Sequence, residues 1–126
     1  MKYKKFNYKK YIDKRGLLLP IDFKKILKIN IKRIFIISGK KHFIRGNHAH
    51  KKCIQCFIQL KGKCLIELYT KKKSKKIILD SKVKKGIIIY PKTWIKMKFY
   101  SKNNLTLVLC SHEYDTKDYI RNLKNL

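Results

Sequence analysis

The sequence has 126 residues, with 34 Lys and Arg against 7 Asp and Glu, so its formal net charge is +27. Apolar residues make up 44% and aromatic residues 12%, which is enough for a core and excludes a disordered basic tail. This length predicts a single domain over residues 1–126. No apolar run approaches the roughly 18 residues of a membrane span, and the charged first residues do not resemble a signal peptide. We therefore expect a cytoplasmic protein with no membrane partner.

Short β-branched and aromatic runs, separated by polar breaks, dominate the chain and predict an all-β sandwich or barrel. In chain order, the predicted strands cover residues 16–20, 32–38, 52–61, 63–70, 76–79, 86–90, 95–100 and 105–111. Turns are expected at 61–63 and 101–104. Two short helices are predicted over 22–27 and 116–125, with Asp22 and Asp115 as their N-caps.

The positive charge is spread along the whole chain, from Lys2 to Lys124. The densest run, residues 71–76, predicts a solvated hairpin loop. Nucleic-acid-binding proteins cluster their charge and interleave aromatic residues for stacking, and neither a recognition helix nor an RNA-binding signature is present. The sequence therefore favours a protein that does not bind nucleic acid.

Four cysteines, Cys53, Cys56, Cys64 and Cys110, allow three interpretations. Buried thiols are favoured, because cysteine is a frequent small core residue. The spacing of Cys53 and Cys56 also occurs in zinc knuckles and redox pairs. No second pair with this spacing follows, and a disulfide framework is not expected without a signal peptide.

The most informative stretch covers residues 45–51, with the sequence RGNHAHK. On an extended strand His48 and His50 leave the same face. With Gln55 and Gly62 downstream, the spacing resembles the first motif of the cupin jelly-roll superfamily, and Gly86 and Pro91 resemble the opening of the second.

Where metal-binding cupins carry a third histidine, this sequence has Trp94, Ile95, Lys96 and Met97. Two imidazoles beside a lysine make a poor divalent site, so we expect neither metal nor cofactor. Histidine suits acid–base work near neutral pH. The other interpretations are structural histidines, or a metal-dependent cupin that uses both histidines and a cysteine.

The resemblance becomes close when the C-terminal run is included. RGNHAHK at 45–51 and SHEYDTKDYIR at 111–121 resemble the sugar-nucleotide 3,4-ketoisomerases of the WxcM-like family. This resemblance implies a metal-free jelly-roll homodimer with one or two short helices. Its substrate would be a dTDP-linked 4-keto-6-deoxyglucose, converted into the 3-keto isomer for a 3-amino sugar of a surface polysaccharide such as an O-antigen.

The resemblance also assigns residues to roles. His48 is expected to be the base, and His50 to protonate the oxygen or hold the sugar. Arg45 and Arg33 would neutralise the diphosphate or the oxyanion. The remaining expected binding residues are Gln55, Trp94, Arg15 and Ile95.

Arg15 and Ile95 correspond to positions that line the sugar and help to set the configuration at carbon 4. Arg15 resembles the members that give the galacto product, whereas Ile95 fits neither usual pattern. Phe35 and Ile36 stand where members often carry tyrosines. Two alternative functions remain, a dTDP-sugar 3,5-epimerase and a non-catalytic cupin that binds a sugar nucleotide or a polyanion.

Overall fold

The protein is built from two five-stranded antiparallel sheets that face each other. The computed structural model describes residues 2–126, apart from the side chain at position 26. Its strands are β1 Tyr3–Asn7, β2 Tyr11–Asp13, β3 Gly16–Leu18, β4 Arg33–Ile37, β5 Ile44–His50, β6 Gln55–Lys61, β7 Lys63–Tyr69, β8 Ser74–Asp80, β9 Lys85–Ile89, β10 Trp94–Phe99, β11 Leu105–Cys110 and β12 Tyr119–Ile120.

The strand order is β1-β9-β6-β11-β4 in the first sheet and β12-β5-β10-β7-β8 in the second. Strands β2 and β3 form a separate hairpin. Within residues 2–126, helical structure is limited to α1, Phe23–Ile26, and two 3₁₀ turns, Thr116–Asp118 and Leu123–Asn125. The predicted all-β jelly roll is confirmed. No helix in residues 2–126 is long and apolar enough to cross a bilayer.

The main core lies between the two sheets. Its buried side chains come from both layers and include Phe57, Ile66, Ile87, Met97 and Phe99. Phe99 is completely buried, and truncation of such a ring to alanine typically costs about 3–5 kcal/mol. The core therefore fixes the distance between the sheets, and with it the shape of the cavity at one end.

A second cluster covers the outer face of the first sheet. Segment 19–31, which includes α1, packs there against Cys56, Ile58, Ile88 and Leu109. The first sheet is therefore buried on both faces. This double burial explains why residues 56–58 and 87–89 are apolar at consecutive positions rather than at alternate ones.

The eight predicted strands are all present, with ends that differ by at most three residues. Four others were not predicted: β1, β2, β5 and β12. Lysines within and around β1 obscure its apolar pattern, and Gly46 and Asn47 interrupt the alternation of apolar and polar residues in β5. The predicted strand at 52–61 begins only at Gln55, because residues 51–54 form a connecting turn.

The helix predicted over residues 116–125 is wrong. Its first turn is a 3₁₀ turn capped by Asp115, which accepts from the Lys117 backbone N–H. Tyr119 and Ile120 then pair with His50 and Ala49 of β5, so pairing with β5 outweighs local helix propensity. Asp22 does occupy the N-cap position of α1, but its side chain makes no capping hydrogen bond.

Candidate active site

A β-bulge in β5 positions the first histidine. Ile95 pairs with His48 but the next residue, Lys96, pairs with Gly46, which leaves Asn47 as the extra residue. Gly46 and Asn47 have φ values of 80° and 61°, a left-handed conformation that glycine and asparagine tolerate best. A Cβ at Gly46 would also lie 3.1 Å from the Ile95 carbonyl oxygen. Such bulges bend a strand and redirect its side chains.

His48 is held in one tautomer by its own bulge. Its Nδ1 donates to the carbonyl oxygen of Gly46 at 3.0 Å. Because a carbonyl oxygen only accepts, the proton of the neutral ring is on Nδ1 and Nε2 keeps its lone pair. Burial is the largest effect and lowers the pKa of His48 below 6.5; the hydrogen bond to Gly46 opposes it, and the charges of His50 and Arg121 add smaller lowering effects. At neutral pH His48 is therefore a free base.

His50 forms a buried pair with Asp118. Nδ1 of His50 donates to a carboxylate oxygen of Asp118 at 2.9 Å, and the two side chains are only 8% and 11% exposed. The backbone N–H groups of Lys52 and Cys53 also donate to this carboxylate, at 2.7 and 3.3 Å. Burial acts to raise the pKa of Asp118, but these hydrogen bonds outweigh it and hold the pKa below 3.8. Nε2 of His50 is buried and has no hydrogen-bond partner among the described residues.

Tyr119 packs against both histidines. Its ring centroid lies 4.7 Å from that of His48 and 4.6 Å from that of His50, whereas the two imidazoles are 5.0 Å apart, edge to face. The Arg121 guanidinium also lies over the Tyr119 ring, 4.6 Å from its centroid. The histidines thus share one face of the sheet, as their two-residue spacing predicts.

A cavity of about 240 Å³ opens beside this group, between the sheets. It is lined by Arg33, Phe35, Ile36, Ile37, Arg45, Gly46, His48, Gln55, Phe57, Ile95, Met97 and Tyr119. Arg33 stacks on Phe35 and on Tyr114, with distances to the ring centroids of 4.7 and 5.0 Å. One base and two guanidinium groups therefore line a largely apolar cavity, which suits an anionic ligand that undergoes proton transfer.

Five of the eight residues predicted from the sequence line this cavity: Arg33, Arg45, His48, Gln55 and Ile95. Gln55 is buried, and its Nε2 donates to Sγ of Cys110 at 3.7 Å. His50 lies outside the lining and contacts the rings of His48 and Tyr119. Trp94 is buried on the outer face of the second sheet, where its Nε1 donates to Oδ1 of Asn47 at 3.2 Å and supports the bulge.

Arg15 is not brought to the cavity of its own chain. It lies at the tip of the β2–β3 hairpin, where its guanidinium pairs with Asp13 at 2.7 Å and its side chain is 84% exposed. The hairpin also exposes four apolar side chains, Tyr11, Ile12, Leu17 and Leu18.

Sequence reasoning missed three residues of the site: Asp118, Tyr119 and Arg121. The run 114–121 carries the resemblance to the family, but the roles that the resemblance assigns do not include these three residues. Only the pairing of β12 with β5 places these side chains beside the histidines. The available signal was the presence of both acidic and aromatic residues in a run that resembles the family's motif.

Metal-ligating atoms come together at a different place from the one that the alternative of a metal-dependent cupin would use. Within residues 2–126, His50, Cys53 and Asp118 each offer one atom within 4.8 Å of the others, and His48 is not part of this group. The imidazole and the carboxylate already bond each other, and two backbone N–H groups occupy the carboxylate. The cluster is therefore organised as a hydrogen-bond network around Asp118.

Comparison with known proteins gives consistent matches. The family model described as FdtA, WxcM-like, C-terminal matches residues 1–126. The TDP-4-oxo-6-deoxy-alpha-D-glucose-3,4-oxoisomerase of Aneurinibacillus thermoaerophilus is 38% identical over 126 residues, covering 99% of this chain and 90% of the relative.

Solved structures agree with these matches. A mutant of the 3,4-ketoisomerase QdtA from Thermoanaerobacterium thermosaccharolyticum, in complex with TDP-4-keto-6-deoxyglucose, superposes with a TM-score of 0.90 at 35% identity, covering 98% of this chain and 89% of the other. The RmlC epimerase of Mycobacterium tuberculosis shares the fold, with a TM-score of 0.78 at 14% identity over 93% of this chain and 66% of the other. The protein therefore belongs to the FdtA, WxcM-like family of cupin-fold isomerases.

Proposed function

We propose that this protein is a 3,4-ketoisomerase that converts a TDP-linked 4-keto-6-deoxyglucose into the 3-keto isomer. The observation that carries the proposal is the free Nε2 of His48 beside a cavity that also contains Arg33 and Arg45. The similar proteins named above act on, or bind, sugars of this class.

In the proposed reaction His48 removes the proton from carbon 3. An imidazole whose pKa is lowered below 6.5 is mainly in the basic form at physiological pH. The electrons of the broken C–H bond move to the carbonyl oxygen on carbon 4 and give an enediolate. Protonation of carbon 4 by a proton that has exchanged with solvent on the imidazole, with loss of the hydroxyl proton on carbon 3, completes the shift of the ketone.

His50 is proposed to move the proton between the two oxygens or to hold the sugar. The Asp118 carboxylate, 2.9 Å from Nδ1, stabilises the positive charge that His50 carries when it is protonated. The buried, unpartnered Nε2 supports this role, because a buried polar atom without a partner is costly unless a ligand supplies one.

Arg33 and Arg45 are proposed to bind the diphosphate and the developing oxyanion. Guanidinium groups bind phosphate oxygens through paired, charge-assisted hydrogen bonds. Arg33 is oriented by its stacking on Phe35 and Tyr114. Anchoring the nucleotide in this way orients the reacting carbons beside His48.

We also propose that two copies form a homodimer. The exposed apolar residues of the β2–β3 hairpin support this assembly, as do Ile34 and Ile36 on edge strand β4, which are 56% and 60% exposed. A dimer in which the hairpin reaches the neighbouring cavity reconciles the predicted role of Arg15 with its distance from its own cavity. Because Arg15 resembles the residue of family members that give the galacto product, we propose the galacto configuration at carbon 4 of the product.

The biological setting is also a proposal. Four free cysteines are typical of a reducing compartment, so we place the single catalytic domain, residues 1–126, in the cytoplasm. The 3-keto product would supply an aminotransferase that makes a 3-amino sugar.

The test is to replace His48 with Asn and measure both turnover and TDP binding. The proposal predicts that turnover is lost while TDP affinity stays within a few fold of wild type. His42→Asn is the matched control, because His42 lies in an exposed turn with φ 72°, which asparagine tolerates. Wild-type turnover in His48→Asn would remove His48 from its role, and movement of protons without a shift of the ketone would indicate the epimerase instead.

A further inference from the structure

The cavity residues that come from β5 require an extra residue in that strand. Arg45 and His48 both line the cavity, yet they lie three positions apart, and the side chains of a regular strand alternate between faces. A regular strand would therefore turn one of them away. The bulge at Asn47 removes this conflict. His48 pairs with Ile95, and Arg45 pairs with Met97. Both of these partners belong to the core between the sheets, so the guanidinium and the imidazole lie on the same face.

The side chain of this extra residue is held from the outer face of the sheet. Nε1 of Trp94 donates to Oδ1 of Asn47 at 3.2 Å. Trp94 is only 4% exposed, whereas Asn47 is exposed. A packed indole ring is thus a fixed donor for a residue whose φ is 61°, a conformation that is costly outside glycine.

The restraint on Asn47 reaches His48 through one peptide group. The carbonyl of the peptide that joins Gly46 to Asn47 accepts the hydrogen bond from Nδ1 of His48 at 3.0 Å. Rotation of this peptide would withdraw the acceptor, and the neutral ring would then carry its proton on either nitrogen. The orientation of the peptide therefore keeps the lone pair on Nε2.

The ring of Trp94 also lies behind the second histidine. It belongs to a buried cluster with Ala49 and Ile120, and these two residues pair in the ladder between β5 and β12. Ala49 separates the two histidines in the sequence. Trp94 therefore packs against the outer face of the sheet at the point where both histidines leave its inner face.

We propose that Asn47 and Trp94 are positioning residues for the base, and that the hydrogen bond between them holds the bulge that fixes the tautomer and orientation of His48. Neither side chain lines the cavity. The sequence predicted Trp94 as a substrate-binding residue, whereas this proposal gives it a role behind the sheet. The effect on turnover rests on the proposed function, but the tautomer of His48 does not.

The first experiment reads the His48 tautomer by long-range proton–nitrogen NMR of the substrate-free protein at about pH 8.5, where ordinary imidazoles are neutral. His48→Asn protein identifies the His48 signals among those of four histidines. Wild type should carry its proton on Nδ1. Asn47→Gly tolerates the positive φ and removes the amide, and Trp94→Phe keeps an aromatic ring and removes the N–H. Each should give a mixture of both tautomers.

Two further variants control for general loosening of the sheet. Asn47→Asp keeps an acceptor for the indole and tolerates the left-handed conformation, so it should keep the wild-type tautomer. Tyr69→Phe is the matched control. Tyr69 packs in the same cluster as Trp94, and its hydroxyl donates to Glu67, so this variant removes one polar group without touching the bulge. Wild-type tautomers in both Asn47→Gly and Trp94→Phe, or a mixture in Tyr69→Phe, would overturn the proposal.

Steady-state kinetics then tests the consequence for turnover. Asn47→Gly and Trp94→Phe should each lower kcat about tenfold, as expected for a misoriented base. TDP affinity should stay within a few fold of wild type, because Arg45 keeps its pairing with Met97. The double variant should lose no more than the weaker single variant, since each change breaks the same hydrogen bond. Additive losses, or equal falls in kcat and TDP affinity, would overturn the positioning role. Altered tautomers in the variants of a protein that does not isomerise the sugar would contradict the proposed function and support this inference.

Discussion

Nδ1 of His50 donates a 2.9 Å hydrogen bond to the carboxylate of Asp118, a residue 68 positions away in the chain. This contact exists because β12 adds to the edge of the second sheet and pairs Tyr119 with His50. The pairing of this one short strand therefore places a carboxylate beside His50 and an aromatic ring beside both histidines.

Replacement of Asp118 by Asn should lower kcat by about 10²-fold, because a neutral amide does not stabilise a protonated His50. TDP affinity should stay near wild type, since Asp118 does not line the cavity. Steady-state kinetics and a TDP titration measure the two effects. Equal loss of binding and turnover would indicate a purely structural role.

Asp118 should also contribute to stability in a pH-dependent way. Its pKa in the folded protein lies below 3.8, so its stabilising effect is present above that value and is lost as the pH falls through the lower folded pKa. Denaturant unfolding at several acidic pH values should show a shallower pH dependence for Asp118→Asn than for wild type. Identical slopes would show that the carboxylate is not stabilised in the folded state.

The acid limb of kcat/KM should have its midpoint below pH 6.5. His48 must be unprotonated to accept a proton, and its pKa is lowered chiefly by burial. Activity is thus lost as the pH falls through this lowered value. Removal of a nearby positive charge in Arg121→Gln should move the midpoint to higher pH. A wild-type midpoint above 6.5 would contradict the assignment of His48 as the base.

We expect the aromatic ring of Tyr119, rather than its hydroxyl group, to support catalysis. Both imidazoles pack against it, so Tyr119→Ala should reduce kcat by at least tenfold, as expected when catalytic groups lose their orientation. Tyr119→Phe keeps the ring and should retain most activity. If Tyr119→Phe loses as much kcat as Tyr119→Ala, the hydroxyl group takes part in the chemistry.

Mixing two inactive variants tests whether Arg15 acts across a dimer. Arg15→Ala and His48→Asn chains should each lose activity as pure dimers. If the hairpin serves the neighbouring cavity, each mixed dimer contains one intact site, and random mixing should restore about a quarter of wild-type activity. No recovery despite confirmed subunit exchange would place Arg15 and His48 in the same chain's site, and a monomer in light scattering would reject the dimer.

The sequence predicted the fold class and the histidine pair because both depend on local patterns. Alternating and continuous apolar runs mark the strands, and a two-residue spacing places His48 and His50 on one face. The partners of these histidines were not predictable, because Asp118, Tyr119 and Arg121 reach the site through pairing between distant segments.

The most direct test of the central claim is a proton NMR time course with TDP-4-keto-6-deoxyglucose in deuterated water. The account predicts a new 3-keto sugar that carries solvent deuterium at carbon 4, formed by wild type and not by His48→Asn. Deuterium at carbons 3 and 5 with the ketone unmoved, or tight TDP binding with no exchange at all, would contradict it.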